Sequence, residues 1–472
     1  MGARLLQASL IRRRRRLARL LLYAVPVLAV AAGWAAVTFL SDLGLDHGWR
    51  QTDYRRYEAV RLLQSYLRID TSFPTGNEIP GAEFLARELV KDGVAAHVER
   101  LGHRNANVWA VLEGQDPRAL VLHNHIDVDP ISGLDQWDNP PFSGLIDLPF
   151  IYGRGAFDMK SLAIAQLMAV KELARDGRPP ARSLVFLATG DEERESWHGT
   201  RWILRRHPEL VKRFGVVLTE GGAVEATAID DVKYWGTESV QKLFVEVTVC
   251  GDNRGALEAL REDLTTFDLE RGHPDRLPQP VLEMLRTYVA TRQLPEIRLR
   301  FESALAWRGG FNRLPFNLRA MMRNELSAFP VVEDPGGGGY SMRLVLQLLP
   351  WLPVDEAWAS LLPEGLGGFS VAVDVPHEPI ALAGLDHPIF EHVSQRVEAA
   401  YPRFVHGPLF IPWAATDARF FRAAGIPAYG FSPFVILTGD AAKITGPNER
   451  LVAPAFLAGV DLYRDVVVGW VR

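Results

Sequence analysis

Four short segments of the chain carry histidine and carboxylate side chains close together. In chain order they read HNHID at 123–127, YGRGAFDMK at 152–160, DEE at 191–193 and TEGG at 219–222. Imidazole nitrogens and carboxylate oxygens are ligands that zinc and related divalent ions accept. Cys250 is the only cysteine, which excludes an intrachain disulfide and a thiolate cluster. Any metal site of this chain must therefore use histidine and carboxylate ligands.

Each segment also has a simpler interpretation. Strand alternation puts His123, His125 and Asp127 on one face, where a carboxylate can orient a metal-binding imidazole or merely satisfy a polar strand end. Asp158 precedes a predicted helix, so it is either an N-cap or a carboxylate that bridges two metals. Glu220 alone is a weak signal.

The adjacent carboxylates of the DEE segment repel each other unless a cation lies near them. One of them is suited to bind metal while its neighbour acts as a general base. An exposed acidic loop is the simpler alternative. The four segments taken together favour the metal site.

These segments lie where predicted strands end or predicted helices begin. Apolar spacing predicts strands at 107–112, 120–125, 183–188 and 216–219, and helices at 54–67 and 161–175. Alternating helices and buried strands indicate an α/β fold, whose mostly parallel sheet has helices on both faces. Ligands bind at the carboxyl ends of the strands in such sheets.

The pattern divides the chain into parts. Residues 50–238 are predicted to form the first part of the α/β domain that carries the candidate metal site, and residues 379–472 the second. Between them, residues 239–378 are predicted to be a smaller α+β domain that acts as a lid or a dimerisation surface, so a homodimer is one open arrangement. Its predicted elements are an alternating strand at 242–249, helices at 254–267 and 354–362, a glycine-rich loop at 335–340 and a strand at 341–349. The second part is predicted to have helices at 388–400, 416–424 and 454–468 and a strand at 428–431.

The N-terminus predicts a membrane anchor. Residues 12–16 are consecutive arginines, and residues 20–40 carry no charge. As a helix, this apolar run spans about 30 Å, the thickness of a bilayer core. The positive-inside rule places residues 1–19 in the cytoplasm and the bulk of the chain in a periplasmic, extracellular or lumenal space. A cleaved signal peptide is the alternative, although its apolar region is normally shorter.

The motifs resemble those of the zinc metallopeptidase family that includes aminoacylase, bacterial glutamate carboxypeptidase and vacuolar carboxypeptidase S. The matching segments are HIDVDP at 125–130, WDNPPFSG at 137–144, YGRGAFDMK at 152–160, DEE at 191–193, EGG at 220–222 and TDARFF at 416–421. The resemblance covers residues 54–472, and it is strongest up to residue 238. Membrane-anchored relatives exist in the carboxypeptidase S branch.

The resemblance implies a role for each residue. The zinc ligands would be His125, Asp158, Glu193 and Glu220. Asp158 would serve both of two zinc ions, with His125 and Glu220 on the first and Glu193 on the second. Asp127 would orient the histidine. Glu192 would act as the general base for hydrolysis of an amide bond in a peptide or an N-acyl amino acid.

The sequence departs from the family pattern at several positions. Thr445, in the segment ITGPNE at 444–449, stands where the family has a histidine on the second metal. Residues 250–253 lack a substrate-facing histidine, Gln347 replaces an arginine, and Asn124 replaces a glycine. These changes leave open a single-zinc hydrolase, a membrane-tethered protein that binds a peptide or partner without catalysis, or recruitment of another histidine. The candidates for recruitment are His123, His198 and His406.

Other function classes lack support in the sequence. The net charge of −5 gives no reason to expect nucleic-acid binding. There is no Gly-x-Ser-x-Gly elbow of a serine hydrolase. There is also no phosphate loop, and no convincing dinucleotide fingerprint follows a strand. The sequence therefore predicts a metal-dependent amide hydrolase.

Overall fold

The structure is a computed structural model that describes residues 53–226, 232–265, 277, 279–291, 295–306, 313–334, 338–351, 366, 368–374, 382–402, 405–412 and 414–472. The described strands are β1 (Ala96–Leu101), β2 (Asn105–Leu112), β3 (Asp116–His125), β4 (Ile146–Asp147), β5 (Phe150–Tyr152), β6 (Arg182–Thr189), β7 (Phe214–Thr219), β8 (Ala223–Ala226), β9 (Val232–Gln241), β10 (Leu243–Gly251), β11 (Glu325–Ala328), β12 (Val332–Glu333), β13 (Tyr340–Leu348), β14 (Ser370–Asp374), β15 (His406–Ile411), β16 (Ala428–Gly430) and β17 (Arg450–Val452).

The described α-helices are α1 (Glu58–Leu67), α2 (Glu78–Lys91), α3 (Lys160–Asp176), α4 (Thr200–Arg206), α5 (Pro208–Val211), α6 (Arg254–Thr265), α7 (Gln279–Thr291), α8 (Pro295–Ala306), α9 (Phe316–Met321), α10 (Pro388–Ala400), α11 (Ala418–Ala423), α12 (Thr438–Ala441) and α13 (Ala453–Val471).

The main sheet has the order β1-β2-β6-β3-β7-β16-β9-β15, with β8 paired to β9. Strands β6, β3, β7 and β16 are parallel neighbours, and β15 is parallel to β9. The pairs β1–β2 and β2–β6 at one edge are antiparallel. The predicted α/β fold is confirmed, with a parallel centre and an antiparallel edge.

Helices cover both faces of this sheet because successive strand residues point to opposite sides. Leu120 and Leu122 of β3 share a core with residues of α1, α2, α3 and α13. Val121, between them, belongs to a second core that contains Ile203 of α4 and Phe421 of α11. Burial on both faces explains why the central strands are continuous apolar runs.

A second, antiparallel sheet has the order β11-β13-β10-β14, with β12 paired to β13. In β10 the residues Val245, Val247 and Val249 are buried and alternate with more exposed ones, as the sequence pattern predicts. They pack with Leu257 of α6. Helix α7 does not pack on this second sheet. Its Tyr288 belongs to a core with residues of β15, at the edge of the main sheet.

Several predictions lie outside the described residues. They are the basic segment at 1–19, the transmembrane helix at 20–40, the helix at 354–362 and part of the glycine-rich loop. Among the helices that the structure describes, none combines the length and the apolar character needed to cross a bilayer. The membrane anchor, the location that follows from it and the homodimer stay predictions.

A fully buried ion pair joins α11 to β9. Both guanidinium nitrogens of Arg422 bond to Glu238, at 2.7 and 2.6 Å, and Arg422 also donates to the main-chain oxygen of Ala428 in β16. The Glu238 carboxylate is 0% exposed. Loss of one partner would leave an uncompensated buried charge.

We predict that Arg422→Met lowers the free energy of unfolding by about 3–5 kcal/mol. Urea denaturation measures this loss. Lys212 is the matched control, because it is 68% exposed and pairs with exposed Glu209, so Lys212→Met should cost less than about 1 kcal/mol. Equal effects of the two substitutions would contradict a structural role for the buried pair.

Candidate metal centre

His125 ends strand β3 and is almost completely buried, with 1% of its surface exposed. Its Nδ1 lies 2.9 Å from the main-chain oxygen of Asp127 and 3.6 Å from the Asp127 carboxylate. An Nδ1–H that donates to this carbonyl leaves Nε2 unprotonated and able to bind a cation. Asp127 therefore holds the position from which it can orient the imidazole, primarily through its backbone.

The predicted carboxylates meet around this imidazole. Nε2 of His125 lies 3.2 Å from Oδ1 of Asp158 and 3.5 Å from Oε2 of Glu220. One ligand atom from each of His125, Glu192 and Glu220 falls within 4.8 Å of the others, and the same holds for His125, Asp158 and Glu193. The structure thus brings together the residues predicted as metal ligands and as general base.

The spacing fits a small divalent ion. Two ligands that each lie about 2 Å from a tetrahedral zinc are roughly 3.3 Å apart, which the separations of 3.2 and 3.5 Å from His125 match. Glu193 supplies a further indication, because its buried Oε1 has no hydrogen-bond partner. The nitrogen and oxygen donor set is one that zinc accepts.

Burial and mutual repulsion raise the pKa of the three glutamates of the cluster. Burial acts in the same direction on Asp158, but its hydrogen bond to His125 and the charge of His125 lower the pKa of Asp158 overall. Burial, followed by the charge of Asp158, raises the pKa of Glu220 to about 7. Burial and Glu220 raise the pKa of Glu192 well above its ordinary value, and burial and Asp158 do the same for Glu193. Burial alone would lower the pKa of His125, but Glu220 and its other acidic neighbours raise it well above its usual value. A cation bound among the three glutamates would favour their ionised forms.

Glu449 fixes the loop that carries Asp158. Its carboxylate accepts hydrogen bonds from the backbone N–H groups of Gly155, Phe157 and Asp158, at 3.0, 2.8 and 3.2 Å. Arg154 donates to it at 2.9 Å, and both side chains are 1% exposed. Glu449 has no role that its local sequence predicts, apart from its place in the segment at 444–449.

Glu78, in the first turn of α2, holds the start of the DEE turn. It accepts hydrogen bonds from the backbone N–H groups of Ala106 and Asp191, at 3.0 and 3.1 Å, and from the Asn105 amide at 3.0 Å. Burial, followed by the charge of Asp127, raises its pKa to about 8. This residue also had no predicted role, because nothing in its local sequence indicates what it contacts.

The residues that form this site lie within a segment that matches a known protein family. The profile of peptidase family M20/M25/M40 matches residues 121–468, which contain all four acidic segments. The chain belongs to this family. Over 416 residues it is 26% identical to Aminoacylase-1A of Rattus norvegicus, which covers 87% of this chain and 95% of the relative. The resemblance seen in the motifs is confirmed, and M20 membership makes the chain a hydrolase.

Solved M20 structures share the fold. The metallo-carboxypeptidase Sso-CP2 of Sulfolobus solfataricus has a TM-score of 0.68 at 18% identity, over 87% of this chain and 99% of that one. The YXEP protein of Bacillus subtilis, a dinuclear metal binding M20 peptidase, has a TM-score of 0.51 at 10% identity, over 88% and 97% of the two chains.

The histidines considered as replacement ligands are engaged elsewhere. His123 bonds through its two ring nitrogens to Thr219 and Thr189, at 2.8 and 2.9 Å, and burial lowers its pKa to about 3. His198 bonds to Asp191 at 3.0 Å. His406 bonds to a threonine of β9 at 2.7 Å. None of the three belongs to the described groups of potential metal ligands.

Thr445 lies beside the candidate metal centre, but a threonine side chain is a poor ligand for zinc. It lines the same cavity as Asp158 and Glu193, and its main-chain oxygen accepts a hydrogen bond of 2.8 Å from Arg154. Its φ of 57° is left-handed. This conformation is unfavourable for a β-branched residue, whereas histidine and asparagine adopt it more readily. The backbone at this position therefore suits a histidine better than the threonine present.

Asp417, from the TDARFF motif, is a further acidic residue beside the centre. It is buried, it accepts a hydrogen bond from Ser196, and one of its oxygens lies 3.6 Å from His123. Burial raises its pKa, and its charge helps to raise that of Glu192. The TDARFF motif is recognisable in the sequence, but nothing in it predicts this position for Asp417.

Two cavities meet at Glu192 and Glu193. One, of about 820 Å³, also contains Asp158 and Glu220 and is otherwise mainly apolar. The other, of about 500 Å³, lies on the side of the second sheet and is lined by charged residues that include Arg419. The M20 centre is therefore accessible from two chemically different sides.

We predict that Thr445→His increases the zinc content of the chain from one ion to two, because an imidazole would then face Asp158 and Glu193. Metal analysis after dialysis against zinc measures the stoichiometry. Thr445→Asn is the matched control, since asparagine suits the same backbone but is a poor zinc ligand. An unchanged stoichiometry in Thr445→His, or an equal gain in Thr445→Asn, would contradict the assignment.

Proposed function

We propose that this M20 protein is a zinc-dependent hydrolase that cleaves the amide bond of an N-acyl amino acid or a small peptide. The observation that carries the proposal is the convergence of His125 with Asp158, Glu192, Glu193 and Glu220 at the spacing of metal ligands. The names of its relatives support the substrate class, because they include Aminoacylase-1A and a metallo-carboxypeptidase.

We assign one ion to His125, Asp158 and Glu220, with Glu193 next to it. The separations of 3.2 and 3.5 Å from Nε2 of His125 support the first three. A second ion, as named for the Bacillus subtilis peptidase, would need a further ligand on the side where Thr445 stands. A single ion is therefore the state that these side chains favour.

When bound, zinc supplies Lewis acidity and lowers the pKa of a nearby water. The chain's own residues supply the proton transfers. Glu192 takes a proton from the attacking water and later donates it to the leaving amine. Burial and the charge of Glu220 raise its pKa, and this direction makes the carboxylate a stronger base toward the attacking water.

Two features distinguish Glu192 from Glu193 and favour Glu192 as the general base. Glu193 is held by its backbone, since its N–H donates to Asp127 at 3.0 Å. After burial, the charge of Glu220, one of the assigned ligands, is the main cause that raises the pKa of Glu192, whereas for Glu193 it is the charge of Asp158. Both glutamates border the two cavities, so a substrate that lies across their junction presents its amide to them.

A catalytically inactive binding protein of the same fold is the second candidate, and Thr445 is the observation that favours it. The acidic cluster argues against it. Buried carboxylates repel each other, and a protein that binds no metal gains nothing from keeping them together. Turnover by the wild-type chain that is lost in Glu192→Gln would support the hydrolase. No turnover by the wild-type chain would support the binding protein.

We predict that Glu192→Gln lowers kcat about 10²- to 10⁴-fold, the usual contribution of a general base, while the zinc content stays the same. Turnover of a panel of N-acyl amino acids and dipeptides, with metal analysis of the same sample, measures both. Glu209→Gln, at a glutamate 84% exposed, is the control and should keep full activity. Full turnover by Glu192→Gln would reject its role.

A further inference from the structure

The larger cavity has an unusual division of polarity. Its charged residues among those described are the carboxylates Asp158, Glu192, Glu193 and Glu220, and they lie together at the metal centre. No described lysine, arginine or histidine lines it. Away from the metal centre, a charged group of either sign would find no described side chain of opposite charge in this cavity. The part of a substrate that lies against this remote wall is therefore expected to be uncharged.

Away from the centre, the wall of the cavity is built from apolar side chains on distant segments. Leu409 and Ile411 come from β15, and Phe434 and Ile436 come from the loop after β16. Tyr288 of α7 lies on the side of the inserted helices. These residues are 1–9% exposed. Phe434 belongs to one hydrophobic core, and Tyr288, Leu409 and Ile411 belong to another, so most of this wall is a fixed part of the two cores.

The smaller cavity on the other side of Glu192 and Glu193 has a different lining. Arg419 reaches it from α11, beside Arg201 of α4. Arg419 bonds to Glu195 at 3.1 Å through Nη2, while its buried Nε has no hydrogen-bond partner. The lining also includes Glu195 and Glu246. Guanidinium groups bind carboxylates well, so the arginines are the groups on this side that can bind the anionic end of a substrate.

We propose that the substrate is an N-acyl amino acid with a long apolar acyl chain. The chain occupies the larger cavity, and the amino-acid carboxylate points to the arginine side. This inference rests on the proposed function and specifies its substrate. Hydrolysis breaks the amide C–N bond and joins the water oxygen to the acyl carbon. The products are a long-chain carboxylic acid and a free amino acid, whose nitrogen receives the proton.

The size of the cavity sets the expected dependence on chain length. Its volume of about 820 Å³ is near the upper end of ordinary ligand sites, and far more than an acetyl group fills. Each methylene that leaves water for such a wall improves binding about fourfold. An acyl series should therefore show steadily rising kcat/KM until the cavity is full.

The test uses the purified full-length chain with zinc and a series of N-acyl glycines from acetyl through butyryl, hexanoyl, octanoyl and decanoyl to dodecanoyl. We expect kcat/KM to rise by about fourfold per methylene over most of the series. Hydrolysis of the acetyl compound with a flat or falling profile would overturn the acyl-chain assignment and leave the proposed function standing.

A pair of neighbouring alanines gives a matched control. Ala441 and Ala442 are both exposed, but only Ala441 lines the cavity. Ala441→Trp should lower kcat/KM for dodecanoyl-glycine roughly tenfold more than for acetyl-glycine. This factor corresponds to the loss of about two buried methylene groups of the acyl chain. Ala442→Trp should leave the chain-length profile unchanged. Equal profiles for the two variants would overturn the location of the chain.

A binding measurement keeps the inference testable if no substrate is hydrolysed. Calorimetry on the Glu192→Gln variant gives the Kd of each N-acyl glycine without turnover. A Kd that falls with chain length supports the apolar cavity even if the wild-type chain is inactive, in which case only the proposed function fails. A Kd independent of chain length overturns the inference.

Discussion

The crowding of acidic side chains around one buried imidazole is the constraint on which the rest of the site depends. Asp158, Glu192, Glu193 and Glu220 all come close to His125, and burial makes their repulsion stronger than it would be in water. A divalent cation bound among these groups would remove that repulsion. The fold must hold these groups in place against their own charges.

The surrounding structure supplies that support through further buried acids. Glu449 collects three backbone N–H groups and Arg154, and so fixes the loop before Asp158. Glu78 does the same for the turn that begins at Asp191. Hydrogen bonds from backbone donors favour a carboxylate without adding a mobile counter-charge. The loop before Asp158 and the turn at 191–193, which carry candidate metal ligands, are therefore held by groups to which we assign no part in the chemistry.

Much of this arrangement was predictable because it follows from strand order. Strands β6, β3 and β7 are adjacent and parallel, so residues after their carboxyl ends meet. The apolar pattern predicts the acidic segments at strand ends, and the family resemblance implies the individual roles of His125, Glu192, Glu193 and Glu220. The helix predicted at 388–400 matches α10 in both its ends. Local pattern and strand order are properties of short segments, which a single sequence carries.

The parts that were not predictable depend on long-range packing. Glu78 and Glu449 look like ordinary surface acids in the sequence, and only the folded chain shows their backbone partners. The three candidate replacement histidines were proposed from proximity along the chain or from the fold, and each is bonded elsewhere. The apolar cavity joins residues from 157 to 445.

The central claim is tested most directly by anomalous diffraction at the zinc edge on crystals of the zinc-loaded chain. We expect one strong peak in contact with Nε2 of His125 and carboxylate oxygens of Asp158 and Glu220, and no peak there in His125→Ala crystals. A wild-type map without a peak at that position would contradict the account.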